Sequence, residues 1–489
     1  MTDKERQIKN SFIYLIPLIV SGFLPIVALT VFTRVLTKED FGALALAQIY
    51  AIFASGLANF GLTVVYERNF FQYRDPEKSA DLLYSTLVFV ITVFSVFVLL
   101  TYIFKSPFSS IIIGSSGHAA LLFWTFCSTG FLSLKTFFLT YFKNTENAKD
   151  FTKYTIYESV LAVLFSVFMV IFLRTGVIGI VWGQLSAGLI VFSVLVIKFL
   201  KFLPFSFNWR ILKESLKLSY PFTSRVFFGV ISTQFDKYMI GLLASISGVG
   251  IYSIGQRVSY AVFSFMTAIQ NVYAPQVYKR MFDEGEKGRE SVGKYLTPFA
   301  YISVSAALII ALFSEEIISI LTPKSYHGAI DIVIILSMFY GSMFFGKQPQ
   351  LLFAKKTHIT SLLTFSTIAV NVGLIIPFTM KWGAVGAAWA TLLAGLIAGS
   401  IGFIVSQHYY RIKYEYKKIY AIFISFFISA VMVVLLRYMD ADYYVRIFLK
   451  LVSIILFAYI GVRINVITMD NFMMVKNIII RPKSKEAAA

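Results

Sequence analysis

EDFGALALAQ at residues 39–48 and SGVGIYSIGQ at residues 247–256 align with Gly42 over Gly250 and Gln48 over Gln256, an offset of 208. GVIGIVWG at 176–183 and GAVGAAWA at 383–390 align at nearly the same offset, 207. Chance recurrence of small residues in apolar helices is the competing explanation. Two similar offsets in separate places argue instead that one block of sequence occurs twice. The segments between these motifs are apolar enough to say what the block is. A membrane-spanning helix needs about 20 mostly apolar residues. On that scale the chain holds fourteen spans: 12–33, 42–66, 82–104, 119–142, 154–173, 177–197, 218–243, 249–275, 295–321, 329–352, 359–380, 384–408, 417–436 and 443–462. The offset places six spans in each copy and leaves two.

Composition agrees. Of 489 residues, 58% are hydrophobic and only 14% are charged, and the mean hydropathy is +0.75. Soluble domains carry about a quarter charged residues, so this chain cannot cover a water-soluble surface. The net charge of +19 would suggest nucleic acid in a soluble protein. Here the basic residues sit between apolar runs and report topology. With the N-terminus inside, the inside segments hold 30 Lys and Arg and the outside segments 7, in regular alternation. Removing one span would destroy the alternation beyond it. An even number of spans with both ends cytoplasmic follows, and the run from Phe12 to Phe32 reads as a retained first helix rather than a signal peptide.

The expected fold is therefore an all-α polytopic membrane protein. Two six-helix bundles are related by an axis along the membrane normal, because an even number of spans per copy makes both copies enter in the same sense. The expected divisions are a first bundle at 1–200, a basic aromatic linker at 201–217 lying as an amphipathic helix on the inner leaflet, a second bundle at 218–410, two further helices at 411–470 and a basic tail at 471–489. Pro17 and Pro221 open the two copies at similar places and, with Pro25, are candidate hinges.

Charges inside spans cost about 2.5–3.5 kcal/mol near the centre, and usually face water-filled cavities. Arg225, Arg257, Lys135 and Lys347 are the candidate cations of a substrate cavity. Asp236 and Lys237, with Arg34, are candidates for a gate or structural ion pair. Glu158 reads as lying near the inner end of its helix. Almost no acidic side chain is expected near mid-membrane. A cationic cavity favours phosphates, through charge-assisted hydrogen bonds, so the substrate is expected to be anionic. Asn59, Gln234, Gln256, Gln270 and Asn271 are candidate sugar contacts, or helix-to-helix bridges. The sequence has no Walker loop, no metal-spaced cluster and no nucleophile–base constellation. One cysteine, Cys127, and four scattered histidines exclude an intramolecular disulfide and a cysteine-held metal centre. No enzyme, cofactor or nucleic-acid partner is expected.

RVLTKEDFG (34–42), FGL (60–62), DKYMIG (236–241), GVGIYSIGQRV (248–258) and GAVGAAWA (383–390) resemble the polysaccharide transporter family, which includes the Wzx-type O-antigen flippases. The wider superfamily also holds the lipid II flippase and the MATE multidrug exporters. The resemblance implies two bundles around a cavity that opens alternately to each side. It implies an undecaprenyl-pyrophosphate-linked oligosaccharide as substrate, turned to the outer leaflet of a bacterial inner membrane or its archaeal equivalent. Polymerase and chain-length proteins are the implied partners, the chain is expected to act as a monomer among membrane lipids, and coupling to Na⁺ or H⁺ is left open. The alternative is a MATE-like, cation-coupled multidrug exporter.

Overall fold

A computed structural model describes residues 3–73, 75–345 and 349–468. Its first compact unit is Met1–Ser253 with Leu321–Pro323, and its second is Ile254–Ile320 with Lys324–Ala489. The first carries α1 (Asp3–Val35), α2 (Lys38–Asn59), α3 (Leu62–Phe70), α4 (Pro76–Ile112), α5 (Ala119–Asn144), α6 (Ala148–Val167), α7 (Ile178–Phe202) and α8 (Trp209–Leu243). The next helix, α9 (Ile246–Asp283), begins in the first unit and ends in the second. The second unit continues with α10 (Gly285–Leu312), α11 (Ser314–Leu321), whose last residue falls in the first unit, α12 (Ala329–Ser342), α13 (Pro349–Phe353), α14 (Thr357–Tyr409), α15 (Tyr416–Tyr438) and α16 (Tyr443–Arg463).

Within the described residues, each of the fourteen expected spans falls on one helix, on part of one, or on two helices in succession. The second span is broken where Phe60 and Gly61 take left-handed backbone between α2 and α3. The ninth is broken between α10 and α11. The eleventh and twelfth are the two arms of α14, which bends at Gly383 with φ 57° and ψ −137°. Only glycine adopts that conformation readily. Gly176, its partner in the repeat, is also left-handed, with φ 65°. α1 continues unbroken through Pro17 and Pro25.

The linker differs from expectation. Residues 203–208 are not helical, and the helix after them begins at Trp209 and runs on as the seventh span. Asn208 caps it by accepting from the Arg210 and Ile211 backbone N–H groups, at 3.1 and 3.3 Å. The non-helical stretch is tied to α4. Tyr84 donates to the Leu203 carbonyl at 2.8 Å, Asp81 accepts from Ser206 and Asn208, and Ser85 accepts from the Asn208 N–H.

In the first unit Phe126, Phe137, Phe138 and Phe199 are fully buried around Tyr66 and Leu195. In the second, Tyr273, Phe299, Phe344 and Tyr414 form the corresponding aromatic cluster. Elsewhere small residues let helices close in: Gly183 on α7 packs directly on the Ser166 backbone of α6.

Candidate functional site

The motif that opens each repeat is also where the repeats meet. Thr37 caps α2 and forms a reciprocal capping box with Asp40. That places Lys38, Glu39 and Gly42 along the first turns of the helix. α9 presents its own first turns, Ile246, Ser247 and Gly250, to the same spot. A Cβ on Gly42 would fall 2.7 Å from the Ile246 carbonyl carbon, and one on Gly250 would fall 3.0 Å from the Lys38 carbonyl carbon. Ile246 and Lys38 are 208 residues apart, as are Gly250 and Gly42. Glu39 and Ser247, again 208 apart, hydrogen-bond to each other. Residue i touches j, and the repeat mate of i touches the repeat mate of j. This is the reciprocity of an isologous contact. It comes from the coordinates and independently supports the duplication read from the sequence. Beside it, Tyr252 donates to Asp236 at 2.8 Å, and Gly241 packs on Leu46.

The candidate cations separate into different environments. Arg257 on α9 is exposed, and among the described residues no carboxylate pairs with it. Arg225 lies within α8, but its side chain is outside the described set, and Lys347 is outside the described residues altogether. Lys237 donates to Gln234 at 3.2 Å. Arg34 is exposed and donates to the Thr30 carbonyl one turn back, at 2.8 Å.

Lys135 departs from expectation. It is buried in the first unit and ion-paired with Glu158 of α6. The physical reason is helix length. α6 begins at Ala148, capped by Asn147, which accepts from the Asp150 N–H, and not near residue 154. Glu158 lies ten residues beyond that start, against Lys135 of the neighbouring helix, and supplies the counter-charge that a buried lysine needs.

Further acidic side chains lie toward the outer end of the ninth expected span, in the second unit. Glu315 and Glu316 of α11 face Arg446 and Lys450 of α16. Arg446 grips Glu315 at 2.8 and 3.2 Å, while Lys450 donates to Glu315 at 3.2 Å and Glu316 at 2.7 Å. Lys450 is 0% exposed. Arg437 of α15 pairs with Asp331 of α12 at 3.3 Å. Both C-terminal helices are thus fixed to the second unit by charge. The Glu315–Glu316 pair was visible in the sequence, but it was absorbed into the end of an apolar run.

The candidate sugar contacts also divide. Asn59 donates to Thr63 at 2.7 Å and to Ser133 of α5 at 3.1 Å, so it bridges helices. Gln270 is buried, with its amide on the Phe344 carbonyl at 3.4 Å. Gln234 and Gln256 are half-buried and Asn271 is exposed. Among the described residues no group of three or more His, Cys, Asp and Glu side chains could hold a metal ion.

With this geometry established, comparisons with known proteins become informative. The model of the family described as polysaccharide biosynthesis protein matches residues 31–331. The chain belongs to this family. A relative in Haloferax volcanii, named "Probable low-salt glycan biosynthesis flippase Agl15", is 25% identical over 196 residues. That match spans 39% of this polysaccharide biosynthesis protein and only 41% of the relative. Among solved structures, the lipid II flippase MurJ in an inward closed conformation superposes with TM-score 0.69 at 16% identity, covering 93% of this chain and 99% of that one. An inward-facing MATE multidrug transporter gives 0.56 at 17% identity, covering 81% and 97%. The fold of this family member is thus the multi-pass helical fold of MurJ and the MATE transporters, and neither the family nor these relatives is described as an enzyme.

Proposed function

We propose that this family member is an alternating-access flippase. It moves an oligosaccharide linked to a polyprenyl pyrophosphate, of the undecaprenyl type, from the cytoplasmic to the outer leaflet, for O-antigen, capsule or a related surface polysaccharide. Family membership and the name of the Haloferax relative support a glycan pathway. Arg257 carries the substrate class. It is an intramembrane guanidinium left accessible, with no carboxylate against it among the described residues. Such a group recognises a phosphate through paired, charge-assisted hydrogen bonds. Arg225, in the seventh span, and Lys347, in the tenth, are proposed to share the task.

The reading keeps both termini in the cytoplasm, on the charge walk, and a bacterial inner membrane or its archaeal equivalent as the location. A polymerase and chain-length proteins are the proposed downstream partners. A pyrophosphate diester carries about two negative charges, and moving each outward down an inside-negative potential is favourable by about 2.3 kcal/mol per 100 mV. The membrane potential therefore favours transport in the proposed direction.

The test is export in a strain that depends on this protein for its surface glycan. Arg257→Ala and Arg225→Ala should each abolish surface glycan while membrane levels of the protein hold. Normal export by both variants would overturn the anion site. The fold shared with MATE transporters supports a second reading, cation-coupled drug export. Efflux of cationic dyes from cells carrying this chain, with no glycan phenotype, would favour it.

A further inference from the structure

The proposed transport reaction does not use the buried pair Lys135–Glu158. Lys135 lies on α5, which ends at Asn144, and Glu158 lies on α6, which starts at Ala148. At 1.5 Å per residue both charges are roughly 15 Å from the nearer helix end, beyond the charged residues Lys143, Lys149, Asp150 and Lys153 that cluster around the turn between the two helices. Their side chains are 9% and 7% exposed. Ionisable groups at that depth are costly and mark function more often than packing.

The pairing is incomplete. Lys135 engages one carboxylate oxygen, Oε2, while Glu158 Oε1 is buried with no hydrogen-bond partner among the described residues. A buried acceptor left unsatisfied costs about 1–3 kcal/mol, and more when charged. The second unit offers a comparison. Glu315 has both oxygens taken, by Arg446 and Lys450. Glu316 also has one unpaired oxygen, but its side chain is 20% exposed and shares a cation with its neighbour.

The charges on the surrounding helices are remote along the chain or engaged elsewhere. On α5 and α6 themselves, Lys143 pairs with Glu67 of α3, and Asp150 pairs with Lys198 of α7. Lys149 and Lys153 belong to the first turns of α6, and Lys201 to the last turn of α7. His118 precedes α5, and Arg174 follows α6. On α3, Arg68 is held by Asn69 and Gln72. On α4, Asp81 is held by Ser206 and Asn208; Glu77 and Lys78 share its first turn, and Lys105 lies near its far end. α2 brings Lys38, Glu39 and Asp40 at its start, and α1 brings Arg34 in its last turn. Among the described side chains, the phenols on these helices are Tyr50, Tyr66, Tyr84, Tyr102, Tyr141, Tyr154 and Tyr157.

We propose that Glu158 is a proton-binding site and that Lys135 is its counter-charge. A proton from water adds to the unpaired Oε1. The only new bond is O–H, the carboxylate becomes a neutral acid, and the charge of the pair rises from zero to plus one, carried by the Lys135 ammonium. Proton binding therefore unmasks a buried cation between α5 and α6. The site stands whether or not the chain carries a glycan lipid. If it does, an anion approaching the first unit and a proton at Glu158 favour each other reciprocally.

The experiment is pH-difference infrared spectroscopy on the full chain in phosphatidylcholine–phosphatidylglycerol vesicles. Acidification should produce a protonated-carboxyl C=O band, matched by loss of a carboxylate band, and Glu158→Gln should lack that component. Lys135→Met should show the band at a pH about one to three units higher, because the opposite charge is gone. Equal spectra for the parent and Glu158→Gln, or an unmoved midpoint in Lys135→Met, would overturn the proposal and leave a fixed structural ion pair. The readout does not involve transport, so a failed glycan assay cannot produce either result.

Discussion

Gly250→Ala is expected to weaken the contact between α2 and α9 out of proportion to the single methyl group added. The new Cβ would fall against the Lys38 carbonyl oxygen, far inside contact distance, with the Lys38 carbonyl carbon at 3.0 Å and the Gly42 nitrogen at 3.1 Å, where ordinary contact begins at 3.4 Å. These neighbours are helix backbone and cannot rotate away, so the helices must part locally by about an ångström or more. Overpacking of this kind costs about 1–3 kcal/mol. Alanine also gains about 1 kcal/mol in helix propensity over glycine. That gain is the same whether the contact is made or broken, so it cancels between conformations with and without the contact. The population with α2 against α9 should then fall by a factor of roughly 5–150.

The hydrogen-bonded pair Glu39 and Ser247 provides the assay. Both become cysteine in one background, where the single native cysteine, Cys127, is buried. The rate of oxidative cross-linking in membranes reports how often the two turns meet. Gly250→Ala, and by the same reciprocity Gly42→Ala, should each slow it about tenfold. Gly22→Ala should not, because a Cβ there has no neighbour within 4 Å. An undiminished rate in Gly250→Ala would refute the claim that this backbone contact needs glycine.

Two further outcomes follow from the second unit. Lys450→Met should lower the melting temperature in detergent and raise protease sensitivity at the α15–α16 turn, because it leaves Glu315 and Glu316 with a single cation between them; breaking a buried pair costs about 3–5 kcal/mol. His327 precedes α12, and burial, with help from Arg437, holds its pKa below the ordinary histidine value. The unfolded chain therefore binds this proton more readily than the folded one, so His327 should lower stability as pH falls below about 6.5 and have no effect at pH 8. His327→Gln should flatten that part of a stability-against-pH curve, and an unchanged slope would count against it.

The helices were legible because each is an apolar run of the right length, and the alternating lysines and arginines fixed their number. The repeat was legible because glycines at matched positions serve matched purposes: Gly176 and Gly383 both turn left-handed, and Gly42 and Gly250 both admit a backbone. The state of each charge was less legible. Lys135 read as a cavity cation because α6 was drawn to begin near 154, although Asn147 three residues before Asp150 is a capping signal visible in the sequence. Glu158, already inside the same span, faces the lysine and neutralises it. The pairing of Arg446 and Lys450 was hidden for a similar reason, since their partners are more than 130 positions earlier. Periodicity carries no information about pairing over such distances.

The corrected pairing changes what the remaining charges mean. Five basic and two acidic intramembrane residues suggested a generally positive interior. In the structure Lys135 is cancelled by Glu158, and Arg446 and Lys450 by Glu315 and Glu316, each within its own unit. A charge cancelled by its neighbour holds helices together and has little attraction left for a ligand. Arg257 is surface-accessible and has no carboxylate partner among the described residues, so its charge is not cancelled by a neighbour. The anion proposed as substrate would therefore meet the guanidinium of Arg257 rather than a generally positive interior.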